Sequence, residues 1–107
     1  SAQEILKDLS LQSRYPHFKD LLKGVVDSKE NIDKTLSEFM ERDLSSLDPI
    51  ERSALRLAAY EMLFTDTDVP IIINESIRLS KKYGAADGHK YVNAVLDKMF
   101  KSNFQKI

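Results

Sequence analysis

The residues best suited to binding a ligand lie in one short segment, Lys81 to Tyr91, which reads KKYGAADGHKY. A lysine can neutralise a phosphate, and a tyrosine ring can stack on an unpaired base, which contributes roughly 1–3 kcal/mol for each base. The amide groups at the start of a helix also attract anions. The segment is therefore a candidate site for a phosphate and a stacked base, formed by His89, Lys90 and Tyr91, with Tyr83 and Lys82 facing the same surface.

The same residues also suit a plain connection between two helices. Gly84 follows Lys81 and Lys82, which is a composition typical of a helix C-terminus. Asp87 can cap the helix that follows. Because an exposed Asp87 would repel phosphate, capping is its expected role. Taken alone, the segment leaves both interpretations open.

Motifs for catalysis are absent from the sequence. It contains no Gly-rich phosphate loop, no nucleophile elbow and no HExxH motif. His17 and His89 are far apart in the chain, and the absence of cysteine excludes a thiolate metal site. Asp66 and Asp68 lie in a turn without the apolar surroundings that would raise the pKa of a general acid. We therefore predict no catalytic residue, no metal and no cofactor.

The composition is that of one soluble globular domain. The chain has 107 residues, of which 42% are hydrophobic and 31% charged, as in ordinary folded domains. Its net charge of −1 argues against a strongly basic nucleic-acid binder but permits a local basic patch. There is no membrane-spanning run and no signal peptide, so a cytoplasmic location is expected. The first residue is Ser1 rather than Met, which suggests a trimmed chain.

Apolar residues recur at spacings of three and four, which predicts an all-α fold. A first helix is predicted over residues 2–11, and a second begins at Pro16. A break between Gly24 and Asn31 should precede a third helix, whose solvated face is Lys29, Glu30, Asp33 and Lys34. The predicted buried residues of these helices are Ile5, Leu6, Leu9, Phe18, Leu21, Leu22, Val25, Val26, Ile32, Leu36, Phe39 and Met40.

The clearest helix start is the run Asp48-Pro49-Ile50-Glu51. Asp48 can accept amide hydrogens, and Glu51 can reach back to complete a capping box. Arg52 and Arg56 lie four residues apart and should form an exposed cationic edge. The predicted inward residues of this helix, which we expect at the centre of the core, are Ala54, Leu55, Ala58, Ala59, Met62 and Leu63.

The last two helices follow a turn from Thr65 to Pro70, in which Pro70 should hold Val69 extended. One helix should end near Tyr83, and the final helix should begin after Asp87. Phe104 could add a last contact, whereas the tail from Ser102 to Ile107 is expected to fray. The predicted inward residues are Ile72, Ile73, Ile77, Ser80, Val92, Val95, Leu96, Met99 and Phe100.

A family resemblance rests on four pieces in a fixed order. These are LDPIERSALRLAAYEML, DVP, INE and KKYGAADGHKYVNAVLDK. Together they resemble the NusB family of bacterial transcription antitermination proteins, most strongly over residues 47–98 and more faintly over residues 18–25. The combination is specific, whereas any single piece would not be.

The resemblance implies a helical fold of two small bundles, with a truncated N-terminal part at residues 1–46 and a C-terminal part at residues 47–107. It implies binding of single-stranded boxA RNA jointly with the ribosomal small-subunit protein NusE, and an indirect role in the RNA polymerase antitermination complex at ribosomal RNA operons. The family's RNA-facing corner corresponds to Tyr83, Asp87, His89, Lys90 and Tyr91, with Tyr91 at a position usually held by phenylalanine. The start of the helix near the NusE interface corresponds to Glu51, Arg52 and Arg56.

Two departures from the family pattern alter the expectation. The arginine-rich segment that leads into the first helix of family members is missing here, so weak RNA binding is expected without NusE. DVP is followed by IIINE with fewer intervening residues than usual, so the region between Pro70 and Asn74 is shortened or lacks residues.

Two other interpretations remain. The chain could be the helical substrate-docking domain of a ribosomal RNA cytosine methyltransferase, which would continue into a Rossmann-like catalytic domain. It could also be a helical scaffold or homodimer without an RNA role. An exposed apolar patch without basic residues around it would favour this interpretation.

Overall fold

A computed structural model of the chain describes residues 18–107, and the side chains from Asp20 onwards. This part of the chain is helical and contains no β-strand, which confirms the all-α prediction. The predicted helix over residues 2–11, its three apolar residues, Pro16 and His17 lie outside the described residues. The elements are α1 (Phe18–Asp27), α2 (Lys29–Ser37), a 3₁₀ turn (Leu44–Ser46), α3 (Pro49–Phe64), α4 (Val69–Tyr83) and α5 (Gly88–Lys101).

Helix α3 lies at the centre, and the other four helices of residues 18–107 all pack against it. Its start follows the sequence prediction, because the Ile50 amide donates to Asp48 Oδ1 at 2.8 Å and Pro49 occupies the first turn. Small side chains on its inner face let its neighbours approach closely. All six predicted inward residues are buried, namely Ala54, Leu55, Ala58, Ala59, Met62 and Leu63.

Helices α4 and α5 complete the core on the other side of α3. The Ser76 hydroxyl donates to the Ala54 carbonyl at 3.2 Å, so a buried hydrogen bond joins α4 to α3. Ile77 is half-buried beside the fully buried members of the predicted face. Those members are Ile72, Ile73, Ser80, Val92, Val95, Leu96 and Met99.

Phe100 was predicted to point inward, but it is 42% exposed. It lies one residue before the end of α5, where the chain turns away through Asn103 in a left-handed conformation with φ of 55°. Phe100 therefore follows the apolar spacing of α5, but no later element packs over its side chain.

The tail is docked rather than frayed, contrary to the prediction. The Ile107 amide donates to the Leu63 carbonyl at 2.9 Å, and Lys106 Nζ donates to the Thr65 carbonyl at 2.6 Å. Phe104 is half-buried against the core, as expected. The prediction failed because these bonds use backbone groups at the end of α3, which apolar patterning does not register.

Helix α1 is less buried than its apolar stripe predicts. Val26 is 71% exposed and Leu22 is 37% exposed, whereas Leu21 and Val25 are half-buried. The helix meets α3 along a narrow strip that includes Gly24, where a Cβ would lie 2.6 Å from Tyr60 Cζ. Leu22 and Val26 lie beside this strip and border an open apolar cleft of about 220 Å³.

The connections and the exposed face of the outer helices match the sequence prediction only in part. The predicted break between α1 and α2 occurs at Ser28. Lys29, Glu30 and Lys34 are exposed as predicted, whereas Asp33 is half-buried and pairs with Arg56. The turn after α3 is shorter than predicted, since Val69 already belongs to α4, where Pro70 fits the first turn without needing an amide hydrogen.

The helix α4 is continuous from Val69 to Tyr83, across the stretch where missing residues were suspected. Among residues 18–107, none of the helices combines the length and apolar character that crossing a bilayer requires.

Candidate nucleic-acid interface

The five predicted RNA-facing residues lie where α4 meets α5, a region we call the corner (residues 83–91). Helix α4 ends at Tyr83, and the Gly84 amide donates to the Ser80 carbonyl at 2.9 Å. The Gly88 amide donates to the Ala85 carbonyl at 3.1 Å and starts α5. Only four residues therefore separate the helices, which brings both helix ends onto one surface.

Asp87 and Lys90 are both exposed and face each other, with Lys90 Nζ 3.3 Å from Asp87 Oδ1. Asp87 occupies the position before α5, but its side chain accepts no amide hydrogen, so the predicted side-chain cap is wrong. The reason is its backbone, since φ of −114° and ψ of 8° depart from the extended conformation that N-caps usually adopt. The carboxylate instead lies beside a lysine that a phosphate could also use.

Tyr91 is half-buried and packs against the core with part of its ring. The Arg42 amide donates to its hydroxyl at 3.4 Å, and the Arg42 guanidinium carbon lies 5.3 Å from the ring centroid. This is cation–π geometry. The corner thus includes an exposed arginine that the sequence analysis did not assign.

Arg42 could not have been found from the sequence pattern. It is 49 positions from Tyr91 and lies in the irregular segment between α2 and the 3₁₀ turn. No helical period covers that segment, so nothing local indicates which surface its side chain reaches.

Tyr83 and His89 complete the corner. Tyr83 is half-buried, and Lys82 Nζ lies 5.3 Å from its ring centroid. His89 is also half-buried, and its Nδ1 is enclosed without a hydrogen-bond partner among the described residues. The two side chains therefore differ, since one carries a cation on its ring and the other turns a polar atom inward.

Glu51 lies beneath the corner and is only 3% exposed. Its Oε1 accepts the Ala85 amide hydrogen at 3.0 Å, and a Cβ added at Gly84 would lie 2.7 Å from the same oxygen. The capping-box prediction for Glu51 is therefore wrong. The carboxyl bonds an amide 34 positions away instead of one at the start of its own helix.

A cleft of about 300 Å³ opens beside this carboxyl. It joins residues that the sequence analysis had assigned to separate surfaces, because Glu51 was grouped with Arg52 and Arg56, and Tyr91 with the corner. The cleft is lined by Arg42, Leu47, Asp48, Glu51, Ala85, Asp87, Gly88 and Tyr91.

The carboxyls of Asp48 and Glu51 perturb each other's ionisation. Burial raises the pKa of Glu51, and a hydrogen bond with Asp48 raises it further. The same hydrogen bond lowers the pKa of Asp48, helped by the Ile50 amide. Glu51 Oε2 is enclosed and has no hydrogen-bond partner among the described residues.

Arg52 and Arg56 do not form the exposed cationic edge that their spacing predicts, because both are half-buried. Arg56 makes a bidentate pair with Asp33 at 2.9 and 3.1 Å, and Arg52 Nη1 donates to the Ser45 carbonyl at 3.5 Å. They border a second cleft of about 470 Å³ with Lys29 and Leu44. Spacing identified their shared face but could not identify the partners that α2 and the 3₁₀ turn bring to it.

Acidic and histidine side chains do not cluster into a metal site anywhere in residues 18–107. The described chemistry of the corner is therefore that of aromatic rings, cations and carboxyls. Such a surface can bind and orient a ligand.

Comparison with known proteins identifies the family. A sequence model of the NusB family matches residues 2–101. The chain belongs to the NusB family. The resemblance found in the sequence is thus confirmed.

Several NusB-family relatives, each named transcription antitermination protein NusB, match most of this chain. The relative from Shewanella piezotolerans is 46% identical over 85 residues, covering 78% of this chain and 62% of the relative. The relative from Tolumonas auensis is 48% identical over 88 residues, covering 80% and 63%. The relative from Methylobacillus flagellatus is 46% identical over 87 residues, covering 79% and 56%. The chain therefore spans less than two thirds of the length of these relatives.

Proposed function

We propose that this protein is a transcription antitermination factor that binds boxA-type single-stranded RNA together with NusE and supports transcription of ribosomal RNA operons. It acts by binding rather than by catalysis, and it reaches RNA polymerase only through the assembled complex. The observation that carries the proposal is the corner, where the Tyr91 ring lines a cleft with the Arg42 guanidinium 5.3 Å from its centroid. The exposed Lys90 precedes Tyr91 in the chain and pairs with Asp87.

The corner has the two components that single-stranded RNA binding needs. Aromatic rings at Tyr83 and Tyr91 offer planes for unpaired bases, and base stacking contributes roughly 1–3 kcal/mol for each base. Lys82, Lys90 and Arg42 offer charges for phosphates next to those planes. His89 supplies polar support beside them. The family membership and the antitermination names of the relatives support the same assignment.

Asp87 weakens phosphate binding at this surface but does not prevent it. Its ion pair with Lys90 is solvent-exposed, and exposed pairs contribute only about 0–1 kcal/mol. A phosphate can therefore displace the carboxylate from the lysine at small cost. RNA binding at this position should be weak for the isolated protein and stronger when a partner adds contacts.

For the protein partner, we propose that NusE docks along the start of α3. Arg52 and Arg56 border the second cleft and are accessible from that side. Glu51 is buried, so it contributes to docking through the corner that it supports rather than by direct contact. In this proposal Arg52 and Arg56 contact NusE directly, and Glu51 acts indirectly.

Mobility-shift titration tests the proposal. Labelled boxA RNA and a scrambled RNA of equal length are titrated with the protein, alone and with NusE. We expect weak binding alone and stronger, boxA-selective binding with NusE. Equal affinity for the two RNAs in the presence of NusE would overturn the sequence-specific claim.

A matched pair of lysine variants tests the location. Lys90 and Lys101 are both exposed on α5, and each pairs with an aspartate three or four residues away, but they lie at opposite ends of the helix. Lys90→Ala should weaken RNA binding and reduce the slope of log K against log salt by about one. Lys101→Ala should leave the slope unchanged. Equal effects of the two changes would remove Lys90 from the site.

Tyr91 is best tested by a change that keeps its buried bulk. Tyr91→Leu removes the ring plane while filling the partly buried space, and Tyr91→Phe keeps the plane but removes the hydroxyl. We expect about tenfold weaker RNA binding for Tyr91→Leu, since one stacked base is lost, and little change for Tyr91→Phe. Circular dichroism checks that both variants remain helical. Similar RNA affinity of the two variants would argue against stacking.

A further inference from the structure

We propose that Glu51 is the positioning residue of the corner: its carboxyl, beneath residues 84–88, sets the path of the loop and hence the direction in which Lys90 and Tyr91 face a ligand. This inference rests on the proposed function for its consequence in RNA binding. The structural part, that Glu51 holds the loop, stands on contacts within the protein alone.

The first support is the contact between Glu51 and the loop. Glu51 Oε1 accepts the Ala85 amide hydrogen at 3.0 Å, and the side chain is 3% exposed. Ala85 lies in the middle of the short connection between α4 and α5. The carboxyl is buried although Ala85 is exposed, so loss of this bond would leave a buried oxygen without a donor. The bond therefore restrains the loop more than a fully exposed bond would.

The second support is the pair of glycines around that bond. A Cβ on Gly84 would lie 2.7 Å from Glu51 Oε1, and a Cβ on Gly88 would overlap the same carboxyl. Neither glycine has a positive φ, so left-handed backbone conformation does not account for them. Their missing side chains make the space that the Glu51 carboxyl fills. At Gly84 the Ser80 carbonyl oxygen also lies 2.7 Å from the added Cβ, whereas at Gly88 the three nearest atoms all belong to Glu51.

The third support is the second carboxyl oxygen. Glu51 Oε2 is enclosed without a donor, and a hydrogen bond couples Glu51 to Asp48. A proton on Glu51 would let its carboxyl donate to Asp48 while Oε1 accepts from Ala85. Other charged groups facing this region are Arg52, which lies near Asp48, and Arg42 and Asp87 across the cleft.

Glutamine reproduces the protonated form of Glu51. Its amide group can donate to Asp48 and accept from Ala85, so Glu51→Gln should keep the loop in place. Glu51→Ala removes both bonds and leaves a space under the two glycines. Glu61 is the matched control, because it is equally buried at 3% exposed but lies ten positions further along α3.

The experiment measures amide hydrogen exchange of Ala85 and the amide chemical shifts of residues 84–91 by NMR, without RNA. We expect Glu51→Ala to accelerate Ala85 exchange at least about tenfold beyond any change in global opening, as for loss of one buried hydrogen bond. Glu51→Gln should restore wild-type protection. Glu61→Gln should not change Ala85 relative to the rest of the chain. Unchanged Ala85 protection in Glu51→Ala, or loss of protection in Glu51→Gln, would overturn the proposal.

A second readout covers the case in which Glu51→Ala fails to fold. In the wild-type protein the shifts of Ala85 and Gly88 should titrate with the Asp48–Glu51 pair, and in Glu51→Gln that titration should be replaced by a single Asp48 step at lower pH. Identical titrations in the two proteins would show that Glu51 does not control the loop.

RNA affinity is then compared for the same proteins with NusE present. Glu51→Ala should bind boxA RNA about tenfold more weakly, and Glu51→Gln within about twofold of wild type. If the wild-type protein binds no RNA, the proposed function fails, while the Ala85 measurements still decide whether Glu51 positions the loop.

Discussion

Side chains of helix α3 pack against glycines near both ends of the helix, and the chemistry of the two contacts differs. Near its C-terminal end the Tyr60 ring packs against Gly24 of α1, with Phe64 stacked beside it at 4.9 Å between centroids. Near its N-terminal end the Glu51 carboxyl fits between Gly84 and Gly88. In each place a glycine makes room for a large side chain of the central helix.

The difference shows that a glycine that makes room for a large side chain can serve packing in one place and function in another. The Tyr60 contact is made by an aromatic ring, so changing it should alter stability in the same way at any moderate pH. The Glu51 contact is made by an acid whose ionisation depends on its surroundings. Changes there should affect stability, pH dependence and the shape of the corner together.

The largest expected effect is that of Gly88→Ala. Its Cβ would overlap the Glu51 carboxyl, which cannot swing aside without losing the Ala85 bond. We expect a loss of about 3 kcal/mol in the free energy of unfolding, despite the better helix propensity of alanine. Urea denaturation measures it. In a Glu51→Ala background the same change should be nearly neutral, and strict additivity of the two changes would contradict the fit.

Gly24→Ala should have an intermediate effect. The new Cβ would meet the tip of the Tyr60 ring, which is half-buried and can turn partly aside. The gain in helix propensity, up to about 1 kcal/mol, offsets part of the clash, so we expect a net loss of about 1–2 kcal/mol. Thermal unfolding at pH 5 and pH 8 should give the same difference. In Tyr60→Leu, Gly24→Ala should become neutral or stabilising.

The smallest expected effect is the pH dependence of stability from Glu51. Its pKa is raised above the ordinary value of 4.5 by burial and by Asp48, so the folded state holds this proton more tightly than the unfolded state. Stability from this group is therefore full below pH 4.5 and falls as pH rises through the raised pKa. Glu51→Gln should remove that fall, which denaturation midpoints measured across pH 4.5–8 would detect.

Asp48 acts in the opposite direction and at lower pH. Its pKa is lowered by the bonds from Glu51 and the Ile50 amide, so its contribution is present above the ordinary value of 3.8 and is lost on acidification. Asp48→Asn should flatten the acid side of the profile. It should also lessen the fall above pH 4.5, because Asp48 contributes to the raised pKa of Glu51. A Glu51→Gln protein that keeps the fall above pH 4.5 would show that another group causes it.

These two contacts also mark how far sequence reasoning could go. The start and inner face of α3 were predictable because capping and a period of 3.6 are local properties. The same period wrongly predicted that Leu22, Val26 and Phe100 are buried. Periodicity indicates the direction of an apolar face, but it does not indicate how much of that face a neighbouring helix covers.

The corner was predictable in its residues but not in its supports. Tyr83, Lys90 and Tyr91 are neighbours in the chain, and their types alone indicate a binding surface. Arg42 and Glu51 reach the same place through contacts with Tyr91 and Ala85, which lie 49 and 34 positions away in the chain. No sequence pattern around Glu51 indicates that its carboxyl accepts a hydrogen bond from the Ala85 amide.

The docked tail has a practical consequence for handling the molecule. Ile107 is bonded to Leu63, twelve positions after Glu51 along α3, which is roughly 18 Å of helix away from the corner. A dye or surface linker joined after Ile107 would therefore sit on the side of the molecule remote from the corner. Immobilising the protein through that end would leave the corner facing solution for single-molecule measurements.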